Sequence, residues 1–426
     1  MKKLLYIVLD GLGDRPIKDL GNKTPLEAAN KPNMDKLALK SNMGFVYTVG
    51  EKIAPESDVA VISILGYDPH KYYTGRGPLE SFAEGLDMKD GDLAYRINFA
   101  TKEKSSDRII DRRVGRNLTT EEAGRLAEEI NRKVRLNGAT FKFKNTIGHR
   151  GVLVIKKTGG RLSSEVTNTD PAYEKEGVYG VAKEVFENIV QVCKPVNGRE
   201  NSKEAIEAAN LTNDFLKKST AVLEESPVNM EREKQNKPIA NLILTRDGGE
   251  RLPKFPNISK KFNIKFGCFV EMPVEKGIAL LTGMDIVELP LPTKDLGGDY
   301  TLRAGKVIEA LGRYDALYIH IKGPDEPAHD GKFREKLTSI ELIDKYFFGN
   351  LLPKSPLKNT VFAVTSDHST PCEIKAHSED PVPLMISSSG IRPDGIESFC
   401  ERNAKKGSLG KLIGPELMPL FVTYIK

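Results

Sequence analysis

The chain has 426 residues, of which 29% are charged and 39% hydrophobic, with a formal net charge of +5, and that length allows two or three domains. The basic excess is spread out rather than gathered in a stripe, which excludes a nucleic-acid binder and suits a small anionic ligand. Four scattered cysteines without a CxxC pair, and no apolar run near the ~18–20 residues that span a bilayer, exclude a disulfide framework and a membrane span; a reducing, cytoplasmic setting is expected.

In chain order, "KLLYIVLDG" (Lys3–Gly11) is too short and too soon acidic for a signal peptide and reads as a first strand. A helical pattern follows over Asn33–Ser41. "APESDVAVISILGYDP" (Ala54–Pro69) sets Ser57 just before an apolar, helix-compatible run. From about Lys89 to Thr167 the texture changes. Alternating strand patterns ("DLAYRINFATKE", "ATFKFKN", "GHRGVLVIKK") surround a helix near "TEEAGRLAEEINRKVR". This reads as a smaller α+β domain, 89–167, inserted into a core made of 1–88 and 168–426.

Helical patterns then recur at Lys183–Cys193, Ser202–Pro227, Leu302–Tyr314 and Arg334–Leu352. Between them lie the apolar runs "ANLILTRDG" (Ala240–Gly248), "DALYIHIKG" (Asp315–Gly323), "TVFAVTSDH" (Thr360–His368) and "PLMISSSG" (Pro383–Gly390). Unbroken apolar runs indicate strands buried on both faces, as in a parallel sheet covered by helices. The fold class is therefore α/β, a doubly wound, mostly parallel sheet with an inserted domain. Ligands of such sheets collect at the carboxyl ends of the strands. Asp10, Asp325, Asp367 and His368 fall at or just past those ends.

These residues suit metal chemistry. In "IKGPDEPAHDG", Asp325 and His329 are four apart and share one side of a helix or tight turn. With His377 they can hold one divalent ion. Asp367 and His368, after a strand and before the turn residues "STP", can join Asp10 on a second. Carboxylate–imidazole sets fit Mn²⁺, Zn²⁺ or Co²⁺. Ions about 3.5–4 Å apart stabilise both oxygens of a phosphoryl transfer. Ser57, at a helix start whose free N–H groups favour phosphate, is the expected nucleophile. Taken singly, Ser57 would be an ordinary helix cap and Asp367–His368 a surface turn. Their co-occurrence at strand ends argues for a site.

The order "IVLDG", "PESD", "GPDEPAHDG", "TSDHSTP" and "AHSEDPVP" resembles the alkaline phosphatase superfamily. "LGYDPHKYYTGRGPLE", "AYRINFAT", "DRRVGR" and "HRGVLV" narrow the resemblance to the archaeal-type cofactor-independent phosphoglycerate mutases. That resemblance implies an alkaline-phosphatase-like core and interconversion of 2- and 3-phosphoglycerate through phosphorylated Ser57. It implies two divalent ions, Mn²⁺ being expected and Mg²⁺, Co²⁺ or Zn²⁺ the alternatives. Asp10, Ser57, Asp367 and His368 would surround one ion; Asp325, His329 and His377 would hold the other. A substrate bearing phosphate and carboxylate calls for arginine forks. Arg76, Arg112, Arg116 and Arg150 are the candidates, with His149 and Lys322 as further donors and Asp111 as a proton shuttle. The inserted domain would exclude water from the phosphoserine. The competing reading on the same scaffold is a metal-dependent phosphatase or phosphodiesterase, in which water takes the phosphoryl group.

Overall fold

Among the described residues of a computed structural model, fifteen strands carry the architecture. They are β1 (Lys3–Leu9), β2 (Ser41–Tyr47), β3 (Leu93–Lys102), β4 (Ile109–Asp111), β5 (Ala139–Asn145), β6 (Arg150–Lys157), β7 (Tyr173–Glu176), β8 (Tyr179–Ala182), β9 (Leu242–Gly249), β10 (Phe266–Phe269), β11 (Asp285–Ile286), β12 (Ala316–Ile321), β13 (Thr360–Thr365), β14 (Val382–Ser387) and β15 (Gly410–Ile413). The structure describes residues 1–426 except Val178, Glu184 and Leu291 and the side chains of Glu176 and Ala182. Among the described residues no helix is long and apolar enough to cross a membrane.

The chain divides into two units, Met1–Tyr72 with Phe255–Lys426, and Tyr73–Lys254. The first holds an eight-stranded sheet in the order β11-β10-β12-β1-β13-β14-β2-β15. All its strands run parallel except β14, which is antiparallel to both neighbours. Every residue of β12, β13 and β14 is buried, as is β1 after Lys3. This is why they read as continuous apolar runs rather than alternating ones. Leu5, Ile7 and Leu9 join Leu317, Ile319, Phe362 and Val364 in one core, closed by helix residues such as Val307, Ile340 and Phe347. Registry matters for function: Leu9 pairs with Ile321, and Val8 with Thr365. The chain therefore leaves all three central strands at one level, at Asp10, Lys322 and Ser366.

The second unit is α+β. Its antiparallel sheet runs β4-β3-β6-β5, with β9 also paired to β3. The helices Thr120–Lys133 and Lys203–Glu224 complete its core, with Leu126, Ile130 and Phe215 meeting Phe99, Phe143 and Leu153. Two sequence expectations change here. Leu242–Gly249, expected in the parallel sheet, pairs antiparallel with β3 instead, so this unit spans 73–254 rather than 89–167. Its apolar run looks parallel because its residues are buried here too. The helix expected over 183–193 is absent among the described residues. Backbone groups of Asn188, Val190 and Gln191 bond instead to Ile109, Asp107 and Thr169, a tertiary override of a weak local preference.

Candidate metal centre

Each of the three central strands delivers a turn that bears a candidate metal ligand. After β1 comes Asp10, then Gly11 at φ +60°. A side chain at Gly11 would collide with Asp325, the nearest atom lying at 2.5 Å from its Cβ, so only glycine permits this close approach. The Gly11 N–H donates to Asp367 Oδ1 at 3.1 Å. After β12, the short helix Asp325–His329 brings Asp325 Oδ2 within 3.4 Å of His329 Nε2, the expected i,i+4 geometry. After β13, Asp367 and His368 are buried. His368 Nε2 lies 3.3 Å from Asp367 Oδ2 and 3.5 Å from Asp10 Oδ1.

Ser57 opens the helix Ser57–Ile64, all of whose following residues are buried. Glu56, not Ser57, occupies the cap position. The serine hydroxyl is 3.1 Å from His368 Nε2. His377 Nδ1 is 2.8 Å from the Pro55 carbonyl, which turns Nε2 toward His329 Nε2 (3.2 Å) and Asp325 Oδ1 (3.7 Å). Its ring stacks on His368 with centroids 3.6 Å apart. The seven residues Asp10, Ser57, Asp325, His329, Asp367, His368 and His377 thus lie in one cluster.

Within it, two groups have ligand atoms all within 4.8 Å of one another: Asp325, His368 and His377, and Asp10, His320 and Asp367. The grouping differs from the sequence reading in two ways. His368 stands between the sets, and His320 joins the second. His320 is 1% exposed, with Nε2 3.4 Å from Asp367 Oδ2 and Nδ1 3.7 Å from Glu275 Oε1. Sequence reasoning misses it because it sits inside the apolar run "LYIHI"; a titratable residue interrupting a buried strand is the available signal. Lys322 Nζ lies 2.5 Å from Asp10 Oδ2 and 2.8 Å from Glu275 Oε1. It is therefore paired at the back of this cluster.

The donor set fits divalent cations. Asp10 Oδ1 and Asp367 Oδ2 are buried and accept no hydrogen bond among the described residues. Buried anionic oxygens without partners are costly, and a cation satisfies them. Electrostatics agree. Burial, then Asp367, pushes Asp10 up to about 7. Burial would also raise Asp367, but His368 and His320 outweigh it and hold it below the carboxylate range. Burial, and after it His377, brings His368 down to about 4, so its imidazole is neutral as a ligand must be. The hydrogen bond to Asp325 raises His329 to about 9 against burial.

A pH dependence follows. His329 and Asp10 both titrate above their ordinary values of 6.5 and 3.8. Each favours the folded, metal-free chain while protonated. The Asp10 contribution is present below 3.8 and lost as pH rises through about 7; that of His329 is present below 6.5 and lost through about 9. A metal must displace both protons. The melting temperature in chelator should therefore fall from mildly acidic to alkaline pH, while the increment given by Mn²⁺ grows. Paired thermal scans with EDTA or Mn²⁺ check this, and an increment that shrinks with rising pH contradicts it.

The second unit carries a different constellation. Arg96 on β3 and Arg246 on β9 are register partners. Arg76 Nε is 2.6 Å from Glu80 Oε1, and Arg96 Nε is 3.6 Å from the same oxygen. Burial, then Arg76 and Arg246, lowers Arg96 to about 9. Burial, then Arg150, Arg113, Arg96 and Arg246, holds His149 down to about 3. Arg96 Nε and Arg246 Nε are without hydrogen-bond partners among the described residues. Crowded, buried guanidinium groups with unused donors suit an anion.

Of the expected substrate residues, Arg76, His149 and Arg150 join this cluster. Arg112 instead gives both its fork bonds to Asp170, each 2.7 Å, and Arg116 is exposed. Asp111 ends β4 and accepts the Arg113 N–H at 2.6 Å. Arg96, Arg113 and Arg246 escape sequence reasoning, although Arg96 and Arg246 interrupt otherwise apolar strands.

Comparison with known proteins narrows the chemistry. Residues 38–229 match the family model described as 2,3-bisphosphoglycerate-independent phosphoglycerate mutase. A relative of that name from Aeropyrum pernix is 44% identical over 97% of this chain and 96% of its own. One from Pyrococcus abyssi is 40% identical over 99% and 97%. A solved structure from Pyrococcus horikoshii superposes with TM-score 0.80 at 32% identity, covering 100% of this chain and 97% of that one. The cofactor-independent phosphoglycerate mutase of Thermoplasma acidophilum gives 0.64 at 30% identity, covering 100% of both. Near full-length identity at this level, on a fold whose central strand ends bear a carboxylate–imidazole cluster, makes the chain a member of the 2,3-bisphosphoglycerate-independent phosphoglycerate mutases.

Proposed function

We propose that this chain interconverts 2- and 3-phosphoglycerate by way of a phosphoserine at Ser57. The observation that carries the proposal is the position of the Ser57 hydroxyl, 3.1 Å from His368 Nε2, at the start of a buried helix and beside two carboxylate–imidazole sets. Ser57 Oγ gives up its proton and attacks phosphorus, the bond from phosphorus to the glycerate oxygen breaks, and that oxygen takes up a proton. The glycerate then presents its other hydroxyl, which loses a proton and attacks the phosphoserine, releasing Ser57 to take a proton back. The N-terminal end of the helix that Ser57 opens favours the phosphoryl oxygens throughout. Asp10, Asp367 and His368 would hold one divalent ion with Ser57; Asp325, His329 and His377 would hold the other. Such ions, Mn²⁺ for preference, supply charge neutralisation and a more acidic serine hydroxyl.

The arginine cluster of the second unit suits an anion that carries phosphate or carboxylate groups. Arg76, Arg96, Arg150 and Arg246 are its principal members, and His149, kept neutral, serves as a hydrogen-bonding group. Four free, buried cysteines support a reducing, cytoplasmic setting.

An enolase-coupled assay with 3-phosphoglycerate and Mn²⁺ tests the reading. Mutase action consumes 3-phosphoglycerate through 2-phosphoglycerate without added bisphosphoglycerate and without release of inorganic phosphate. Stoichiometric phosphate with no 2-phosphoglycerate would instead establish a hydrolase on this scaffold.

A further inference from the structure

Behind the metal centre, the helix Phe333–Leu342 carries Lys336, whose side chain has no exposed surface. A buried ammonium is costly unless every proton is used. It has three, and they meet three acceptors: the Gly13 carbonyl at 2.9 Å, Asp14 Oδ2 at 3.0 Å and the Thr370 carbonyl at 3.0 Å. Gly13 and Asp14 belong to the turn that begins at Asp10. Thr370 belongs to the turn that begins at Asp367 and His368. The helix itself follows the segment bearing Asp325 and His329. One charge therefore ties the turns after β1 and β13 to the helix that follows the turn after β12.

The contacts continue to the ligands. The hydroxyl of Thr370 donates to Asp325 Oδ1 at 2.7 Å and lies 3.0 Å from His368 Nδ1. Asp14, the counter-charge, also accepts the backbone N–H groups of Cys372 (3.2 Å) and Arg15 (2.8 Å). Gly13 packs so closely on Ser369 that a Cβ there would strike the serine side chain. We propose that Lys336 is a positioning residue for the metal centre. By locking the turns after β1 and β13 together, its ammonium aims Asp10, Asp325, Asp367 and His368 before any metal arrives. The inference rests on the metal-binding role given to those residues above.

The test is titration of the chelator-stripped full chain with Mn²⁺, wild type beside Lys336→Met, with melting temperatures of both in chelator. Groups that support metal ligands typically contribute about 10- to 100-fold in affinity, and a weakening of that size is expected for Lys336→Met. A purely structural lysine would lower the melting temperature and leave Mn²⁺ affinity alone. Unchanged affinity in a folded Lys336→Met chain therefore overturns the proposal. If that variant does not accumulate folded, Asp14→Asn is read in its place: weaker Mn²⁺ binding supports the clamp and unchanged binding overturns it. A wild-type chain that binds no Mn²⁺ overturns both this inference and the metal reading beneath it.

Discussion

Replacing Ser57 with alanine should lower mutase turnover by at least about 10⁴-fold, the scale on which a lost nucleophile is felt. The hydroxyls of Ser366 and Thr370, on the turn that bears His368, are already engaged. Ser366 Oγ donates to the His368 carbonyl at 2.9 Å and accepts the Leu12 N–H at 3.0 Å. Thr370 is committed to Asp325. The variant should fold, because alanine suits a first helical turn and the Ser57 hydroxyl is not the cap. Mn²⁺ should still bind, since six of the seven clustered residues remain. Mass spectrometry of wild-type protein incubated with 3-phosphoglycerate should find one phosphoryl group on the peptide containing Ser57 and none in Ser57→Ala. Undiminished turnover, or a phosphoryl group on another residue, would refute the covalent route.

Asp325→Asn should be nearly as damaging, for an electrostatic reason. Asp325 Oδ1 and Oδ2 face His377, His329 and the Thr370 hydroxyl. Burial would raise its pKa, but the hydrogen bond to His329 and the three neighbouring imidazoles hold it well below the carboxylate range. An amide keeps the shape and removes the charge. Mn²⁺ affinity should fall by more than about 100-fold, beyond the usual loss for a supporting group. His329, now raised to about 9 chiefly by Asp325, should titrate nearer its ordinary value. Calorimetric titration reads the first effect and imidazole proton resonances the second. Normal Mn²⁺ affinity in the variant would remove Asp325 from the ligand set. An unmoved His329 would separate the two residues electrostatically.

The gathering of these side chains at strand ends was legible in sequence because its signals are local. Asp10, Asp367 and His368 follow buried apolar runs, and a strand's carboxyl end is a property of the run itself. Asp325 and His329 carry their own geometry in a spacing of four. Which side chains stand beside which was not legible. His368 lies between Asp367 and the Asp325–His377 pair because its ring stacks on His377, a contact nine residues away across a turn. His320 was hidden for a related reason: its role comes from Glu275 and Asp367, which sit on other segments.

What the amino-acid order determined alone was where buried strands end and which of those ends carry carboxylates and imidazoles, since hydrophobic continuity and helical spacing act over a few residues. Only the tertiary structure decided that Leu242–Gly249 pairs with Leu93–Lys102, and with it the reach of the second unit, the meeting of Arg96 with Arg246, and the clamp of Lys336 on two distant turns. Strand pairing and the partnering of buried charge are settled by neighbours far apart in the chain, and no local pattern encodes which neighbours those are.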